Sequence, residues 1–187
     1  MMENRNVTAK VESILTEYPI CQYGFLKSKE IVFSERVRYI CETECERFGR
    51  SWSCPPAVGT VSACRDFCTS YTYALLFTTL AEVTDLADME ETLATRIQHE
   101  KVVKEVCRKL AGLGEAYFAL SSESCAICSS CAYPAPCRHP EYMLPCIESQ
   151  GILVTDAAEK CGIEYFYDSN TVNWYGLIFF HRENPEE

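Results

Sequence analysis

Four cysteines in the second half of the chain have the spacing of ligands to an iron–sulfur cluster. Two residues separate Cys125 from Cys128 and Cys128 from Cys131, and five separate Cys131 from Cys137. Three thiolates at such short gaps can wrap one loop around a cubane, while the fourth ligand comes from farther along the chain. Zinc sites favour paired CxxC units with a longer gap between them. The spacing therefore favours a [4Fe–4S] cluster, with zinc as the alternative.

The fourth position of this motif departs from the ferredoxin pattern. In ferredoxins the last gap is three residues and a proline follows the cysteine, whereas here the gap is five and Pro136 precedes Cys137. In two-cluster ferredoxins the fourth cysteine also ligates the other cluster. Assigning Cys137 to the same cluster is thus an inference, and Cys146 is the alternative ligand.

A second group of cysteines lies in the first half of the chain. Its members are separated by three, eight and nine residues: Cys41, Cys45, Cys54 and Cys64. A helix predicted over residues 35–47 would place the first two on one face, because they are four residues apart. The third precedes two prolines in a loop, and the fourth lies near the start of the next predicted helix, where backbone amides favour negative charge. Two interpretations stay open: a second metal site, in which Cys68 is a possible substitute ligand, or buried thiols.

The number of cysteines needs a chemical reason. The chain has 13 among 187 residues. Its first ten residues lack the apolar segment of a secretory signal, and no run of 18 apolar residues predicts a transmembrane helix. We therefore expect a cytoplasmic protein, and disulfides do not persist in that reducing compartment. Metal or cluster ligation explains the cysteines better than a disulfide scaffold.

The net charge limits the classes of partner. At −10 the chain offers no basic field that would attract nucleic acid or an anionic membrane. The same acidity is compatible with docking on the basic patch of a redox protein. Apolar residues make up 48% and charged residues 24%, an ordinary composition for a folded domain.

The pattern of apolar residues predicts the elements that must position these cysteines. We expect one cluster-binding domain over residues 1–187 of class α+β, an α/β sandwich with a mixed or antiparallel sheet and one long helix on its face. Its predicted strands cover 20–26, 72–80, 116–121 and 172–181, and the long helix covers 88–110. Cysteine-rich lobes at about 41–68 and 121–146 flank a strand–helix–strand core at 71–120.

The order of the motifs resembles a known family. The motifs are CETECERFG at 41–49, WSCPP at 52–56, CAICSSCAYPAPCRHPE at 125–141 and ESQGI at 148–152. Together they resemble the predicted metal-binding proteins defined by domain of unknown function 2284. The resemblance implies a small cytoplasmic protein of bacteria and archaea, often anaerobes, that binds a metal or cluster. It does not imply a known reaction. It supports Cys41, Cys45, Cys54 and Cys64 as a set, and argues against Cys146 because that family usually carries a small residue there.

Three functions are compatible with these residues. The first is electron transfer through two [4Fe–4S] clusters, as a redox partner in anaerobic metabolism. The second is an oxidoreductase in which one cluster has an open iron site, although the sequence names no general acid, base or substrate pocket. The third is a structural or regulatory module that binds zinc.

Overall fold

The computed structural model describes residues 4–113 and 116–181, and the side chains from residue 8 onward. Five α-helices lie in this part of the chain: α1 Asn4–Leu15, α2 Glu35–Thr43, α3 Val61–Ser70, α4 Met89–Gly112 and α5 Val154–Cys161. Four strands accompany them: β1 Gln22–Lys27, β2 Tyr73–Glu82, β3 Tyr117–Ser121 and β4 Thr171–Phe180. None of these helices is long and apolar enough to cross a membrane.

The four strands form one sheet in the order β1-β2-β4-β3, and every neighbouring pair is antiparallel. The expectation of an α+β fold with a mixed or antiparallel sheet is confirmed. In the central pair, Phe77 lies opposite Gly176. A Cβ at position 176 would lie 2.5 Å from the Phe77 ring, so the glycine leaves room for the ring between the strands.

Both faces of the sheet are covered. On one face α1 and α4 pack with Val11, Val103 and Leu110 against Leu75 and Phe77. On the other face α5 packs against the alternate residues of the same strands, such as Leu76 and Leu177. A strand that is buried on both faces needs apolar residues at consecutive positions. This explains why β2 contains the apolar run Ala74–Phe77. The long helix lies on one face of the sheet as its apolar stripe predicts.

Side-chain caps set the start of three helices. Ser34 accepts a hydrogen bond from the Arg36 amide at the start of α2, and Thr60 accepts one from the Ala63 amide at the start of α3. Asp88 accepts from two amides of the first turn of α4. Each cap satisfies backbone donors that have no partner within the helix. The loop that carries Cys54 runs from the end of α2 to the capped start of α3.

Candidate metal centres

The four cysteines of the 125–137 motif line one narrow cavity, which we call the first site. Cys125, Cys128, Cys131 and Cys137 all reach it, and Trp52 and Met143 close its walls. All four are partly buried. The cavity holds only about 20 Å³ in this conformation, so a cubane requires the loop to widen. The donor set of four thiols matches what a cluster needs.

The loop of the first site is attached to the end of the sheet. At the end of β3, the Ser121 amide donates to the Pro145 carbonyl over 3.1 Å, and the Ile147 amide donates to the Ser121 carbonyl over 3.0 Å. Ser122 bonds the backbone of Tyr175 on β4. These bonds hold both ends of the cysteine loop against a rigid strand, which is why the motif after β3 can form a defined site.

A segment from the other half of the chain completes the wall of the first site. The Trp52 indole donates to the Ala135 carbonyl over 2.9 Å, and its ring meets Tyr133 edge-on at 5.0 Å between centroids. The Cys125 amide donates to the Ser53 hydroxyl over 2.9 Å. The sequence near Cys54 therefore contributes to both cysteine groups.

Hydrogen bonds favour the thiolate form of Cys131. Burial raises its pKa, but donors from the Tyr133 and Trp52 amides and from the Ser51 hydroxyl act in the opposite direction, and the net pKa lies below the ordinary value. A thiolate is the form that binds metal, and hydrogen bonds to sulfur also tune the potential of a bound cluster. Cys125 differs, since burial dominates and raises its pKa.

A second cavity of about 240 Å³, the second site, collects cysteines from three segments. Those that line it are Cys41, Cys45, Cys54 and Cys146. Three of them belong to the predicted second group. The fourth is Cys146, which arrives because Ser121 and Cys146 form a parallel bridge and the Cys146 amide donates to the Ser53 carbonyl over 3.1 Å. The second site is thus adjacent to the first.

Cys64 does not line the second site. It lies on α3, is 4% exposed, and its thiol donates to the Val58 carbonyl over 3.3 Å. Cys68, one turn farther along α3, is fully buried in the core. The structure therefore brings together three members of the predicted set and separates the fourth from them.

The helix predicted over residues 35–47 is wrong at its end. α2 stops at Thr43, and Cys45 lies beyond it. Beyond Cys45 the chain turns at Gly49, which adopts a φ of +66° and whose amide donates to the Pro55 carbonyl over 2.8 Å. Cys41 and Cys45 therefore line the same cavity without sharing a helix face.

Two carboxylates, Glu123 and Glu148, line the second site, so ionised thiols there would lie beside other negative charges. Burial, and to a smaller extent Cys45 and Glu148, raise the pKa of Cys41 to about 11. The Cys146 thiol donates to the Glu148 carboxylate over 3.1 Å, and burial raises the pKa of both groups. A cation can displace these protons and offset the charge. The donor set and the volume of this site fit a metal or cluster.

Neither site is a preformed single-ion cage. Among residues 4–113 and 116–181, no three cysteine, histidine or carboxylate side chains converge closely enough to hold one metal ion. The sulfurs instead line the walls of their two cavities.

One family model matches a part of the chain that includes both sites. A family model described as "Predicted metal-binding protein (DUF2284)" matches residues 24–180, which is most of the chain. The chain belongs to the DUF2284 family. The resemblance expected from the motifs is therefore confirmed, and metal binding is the property that this family predicts. No curated protein and no solved structure matches the chain.

Arg38 is a buried cation of this DUF2284 protein that was not predicted from the sequence. Arg38 is 6% exposed and donates to the Gly59 carbonyl over 2.7 Å and to the Ser149 carbonyl over 2.6 Å. Its charge favours ionisation of Cys41 and Cys64. Arg38 precedes Cys41 by three residues on α2, and this spacing was a signal that the two share a helix face.

Two buried hydroxyls were also missed. Ser51 and Ser53 are 5% and 0% exposed, and their hydroxyl oxygens lie 2.8 Å apart. Serine is so common that no pattern in a single sequence distinguishes them. Only the folded chain shows that they lie between the two sites.

Proposed function

We propose that this DUF2284 protein binds two [4Fe–4S] clusters and passes single electrons between redox proteins in the cytoplasm. The observation that carries the proposal is the first site, where four thiols surround one cavity and amide and hydroxyl donors stabilise the thiolate of Cys131. Amide donors aimed at sulfur are a means by which proteins tune iron–sulfur clusters.

For the second site we propose Cys41, Cys45, Cys54 and Cys146 as the ligands. Cys146 replaces Cys64 in this set because it lines the cavity, whereas the Cys64 thiol is bonded to a backbone carbonyl outside it. The volume of about 240 Å³ gives room for a group larger than a single ion. Arg38 supplies a buried positive charge close to Cys41.

Exposure at the sites supports exchange of electrons with a partner. A bound cluster would supply a one-electron carrier at each site. Cys45 is exposed, and all four cysteines of the first site are only partly buried. A reduced redox protein would give one electron and an oxidised one would receive it. The net charge of −10 favours partners with a basic docking patch.

Metal analysis of protein purified without oxygen tests the proposal. Iron, acid-labile sulfide and zinc are measured, with a visible spectrum and an EPR spectrum after reduction by dithionite. We expect about eight irons and eight sulfides per chain. A colourless protein with stoichiometric zinc would support the structural zinc module and overturn the proposal.

A further inference from the structure

A groove of about 970 Å³, which we call the β3 groove, lies beside the first site. Helix α4 forms one wall, the edge strand β3 forms a second, and residues 140–145 form a third. Ile127 and Met143 line this groove and line the first site as well. A molecule in the β3 groove would therefore contact the same side chains as a cluster in the first site.

The strand β3 turns free backbone groups toward this groove. Alternate residues of a strand in an antiparallel pair bond to opposite sides. The Ser122 amide bonds to β4, so the amides and carbonyls of Tyr117, Ala119 and Ser121 point to the other side. Tyr117 and Ala119 line the groove, and within residues 4–113 and 116–181 their backbone groups have no hydrogen-bond partner. The groove therefore contains two amide donors and two carbonyl acceptors that are open to a ligand.

Pro145 explains why pairing at this edge stops at Ser121. The Ser121 amide donates to the Pro145 carbonyl, and the Ile147 amide donates to the Ser121 carbonyl. One step back along the same parallel ladder, the amide of residue 145 would have to donate to the Ala119 carbonyl, and proline has no amide proton. The edge at Tyr117 and Ala119 therefore stays open, and a planar heterocycle with alternating N–H and C=O groups can bond to it.

Three basic side chains of α4 line the same groove: Lys101, Lys104 and Arg108. They are three and four residues apart, so they share one face of the helix. Lys104 and Arg108 are paired with Glu100 and Glu105. Lys101 is exposed and has no ion pair in the part of the chain that the structure describes. Its ammonium group is therefore available to a phosphate.

Exposed apolar side chains surround these polar groups. Ile97, Tyr117 and Tyr142 line the groove and are 61%, 38% and 58% exposed. Large apolar side chains that are exposed together mark a binding surface, and tyrosine rings favour contact with another aromatic ring. The remaining carboxylate of the groove, Glu141, is exposed on the wall of residues 140–145. The groove thus fits a planar aromatic ring that carries an anionic tail.

We propose that the β3 groove binds a flavin nucleotide, with its ring system at the β3 edge and its phosphate at Lys101, and that this flavin exchanges electrons with the first site. This inference rests on the proposed function. The pyrimidine edge of a flavin carries N–H and C=O groups in alternation, and so does the open backbone of Tyr117 and Ala119. A flavin also exchanges single electrons, which a cluster requires, whereas a nicotinamide transfers hydride.

Two clusters together match the two-electron chemistry of one flavin. Each reduced cluster gives one electron, the oxidised flavin takes both electrons and two protons from solvent, and two N–H bonds form on its ring to give the hydroquinone. The second site is adjacent to the first, since the Cys125 amide donates to the Ser53 hydroxyl next to Cys54. Both electrons can therefore leave through the first site. The protein would convert electrons that arrive singly into a pair.

Equilibrium dialysis of the anaerobically purified protein against FMN, FAD and riboflavin tests the site. Riboflavin has the same ring system without a phosphate. We expect the tighter-binding nucleotide to have a dissociation constant at least about tenfold below that of riboflavin. Lys101→Glu should remove this preference and leave the affinity for riboflavin unchanged. Lys101→Arg should keep the preference, because a guanidinium also binds phosphate.

Lys29→Glu is the matched control, because Lys29 is also exposed but follows β1, at the opposite edge of the sheet. It carries the same change of charge and should bind the nucleotide as tightly as the unsubstituted protein does. Equal affinity for nucleotide and riboflavin, or the same loss of affinity in both glutamate variants, would overturn the flavin site. Failure of the unsubstituted protein to bind either nucleotide would also overturn it.

Stopped-flow mixing tests the exchange of electrons. Protein that is reduced by dithionite and freed of excess reductant is mixed with the oxidised nucleotide without oxygen, and the absorbance of flavin and clusters is followed. We expect one flavin to be reduced for every two clusters oxidised, at a rate that saturates with flavin concentration because a complex forms first. A rate that stays proportional to concentration far above the dissociation constant would overturn the inference. Protein that binds the nucleotide but contains no cluster would instead overturn the proposed function.

Discussion

The guanidinium of Arg38 donates a hydrogen bond of 2.6 Å to the carbonyl oxygen of Ser149, and this contact joins α2 to the turn that follows Cys146. The same guanidinium donates to the Gly59 carbonyl in the loop before α3. One buried side chain therefore fixes three segments around the second site.

Replacing Arg38 by methionine should destabilise the protein by about 3 kcal/mol, because two carbonyls lose their charged donor. Urea unfolding of the anaerobically purified protein measures the change. Arg36→Met is the control, since Arg36 is exposed on the same helix and should change the free energy of unfolding by less than about 0.5 kcal/mol. Equal stabilities of the two variants would contradict the role of Arg38.

Cys146→Ser and Cys64→Ser distinguish the two possible ligand sets of the second site. Both cysteines are buried, at 9% and 4% exposure, so the substitutions are comparable in packing. We expect Cys146→Ser to lose about half of the bound iron and Cys64→Ser to keep it. The opposite result would restore Cys64 as the ligand and remove Cys146.

Cys128→Ser should abolish the cluster of the first site and spare that of the second. Iron and sulfide content would fall by about half, and one of the two EPR signals would disappear. Cys21→Ser is the control, because Cys21 is exposed and its sulfur contacts the Tyr167 hydroxyl at 3.3 Å, outside both cavities. If Cys128→Ser retains both signals, the grouping of the cysteines is wrong.

His99 should make the stability of the fold depend on pH. It is buried on α4 with its Nδ1 2.8 Å from the Thr79 hydroxyl, and burial lowers its pKa to about 4. The folded protein therefore keeps His99 neutral, and the stability that this provides is present above pH 6.5. It is lost as the pH falls from 6.5 toward 4, by about 3 kcal/mol in all.

Unfolding measured across this pH range, with His99→Gln beside the unsubstituted protein, isolates the effect. Acid also protonates the cysteine ligands, and that contribution is common to both proteins. The slope of stability against pH should be smaller in the variant. Parallel curves would show that His99 does not titrate on unfolding.

The sequence predicted the strands and the long helix because their signals are local. Tyr73–Glu82 and Thr171–Phe180 are apolar enough to be recognised as buried strands, and their antiparallel pairing was among the expected arrangements. The order of strands could not be predicted, because it depends on contacts between segments far apart in sequence. The end of α2 was missed because the turn beyond Cys45 is held by a bond from the Gly49 amide to the Pro55 carbonyl, which lies six residues farther along the chain.

The cysteines of the first site could be grouped from the sequence, and those of the second only in part. Local spacing is visible in a sequence, whereas contacts between distant segments are not. The cysteines at 125–137 lie within one loop, so their spacing alone brings them together. Cys146 reaches the second site through bonds of its backbone to Ser53 and of its neighbours to Ser121. Such bonds leave no pattern in the sequence, and the same is true of the contact between Ser51 and Ser53.

The exposure of Cys45 affects how the protein responds to oxygen. Oxidants reach an exposed sulfur more readily than a buried one, and every cysteine of the first site is at least partly covered, whereas Cys45 is open to solvent. Oxygen would therefore attack the second site first and leave the first site for longer. Brief aeration of the proposed two-cluster protein should then yield a half-loaded protein that has lost the second cluster first.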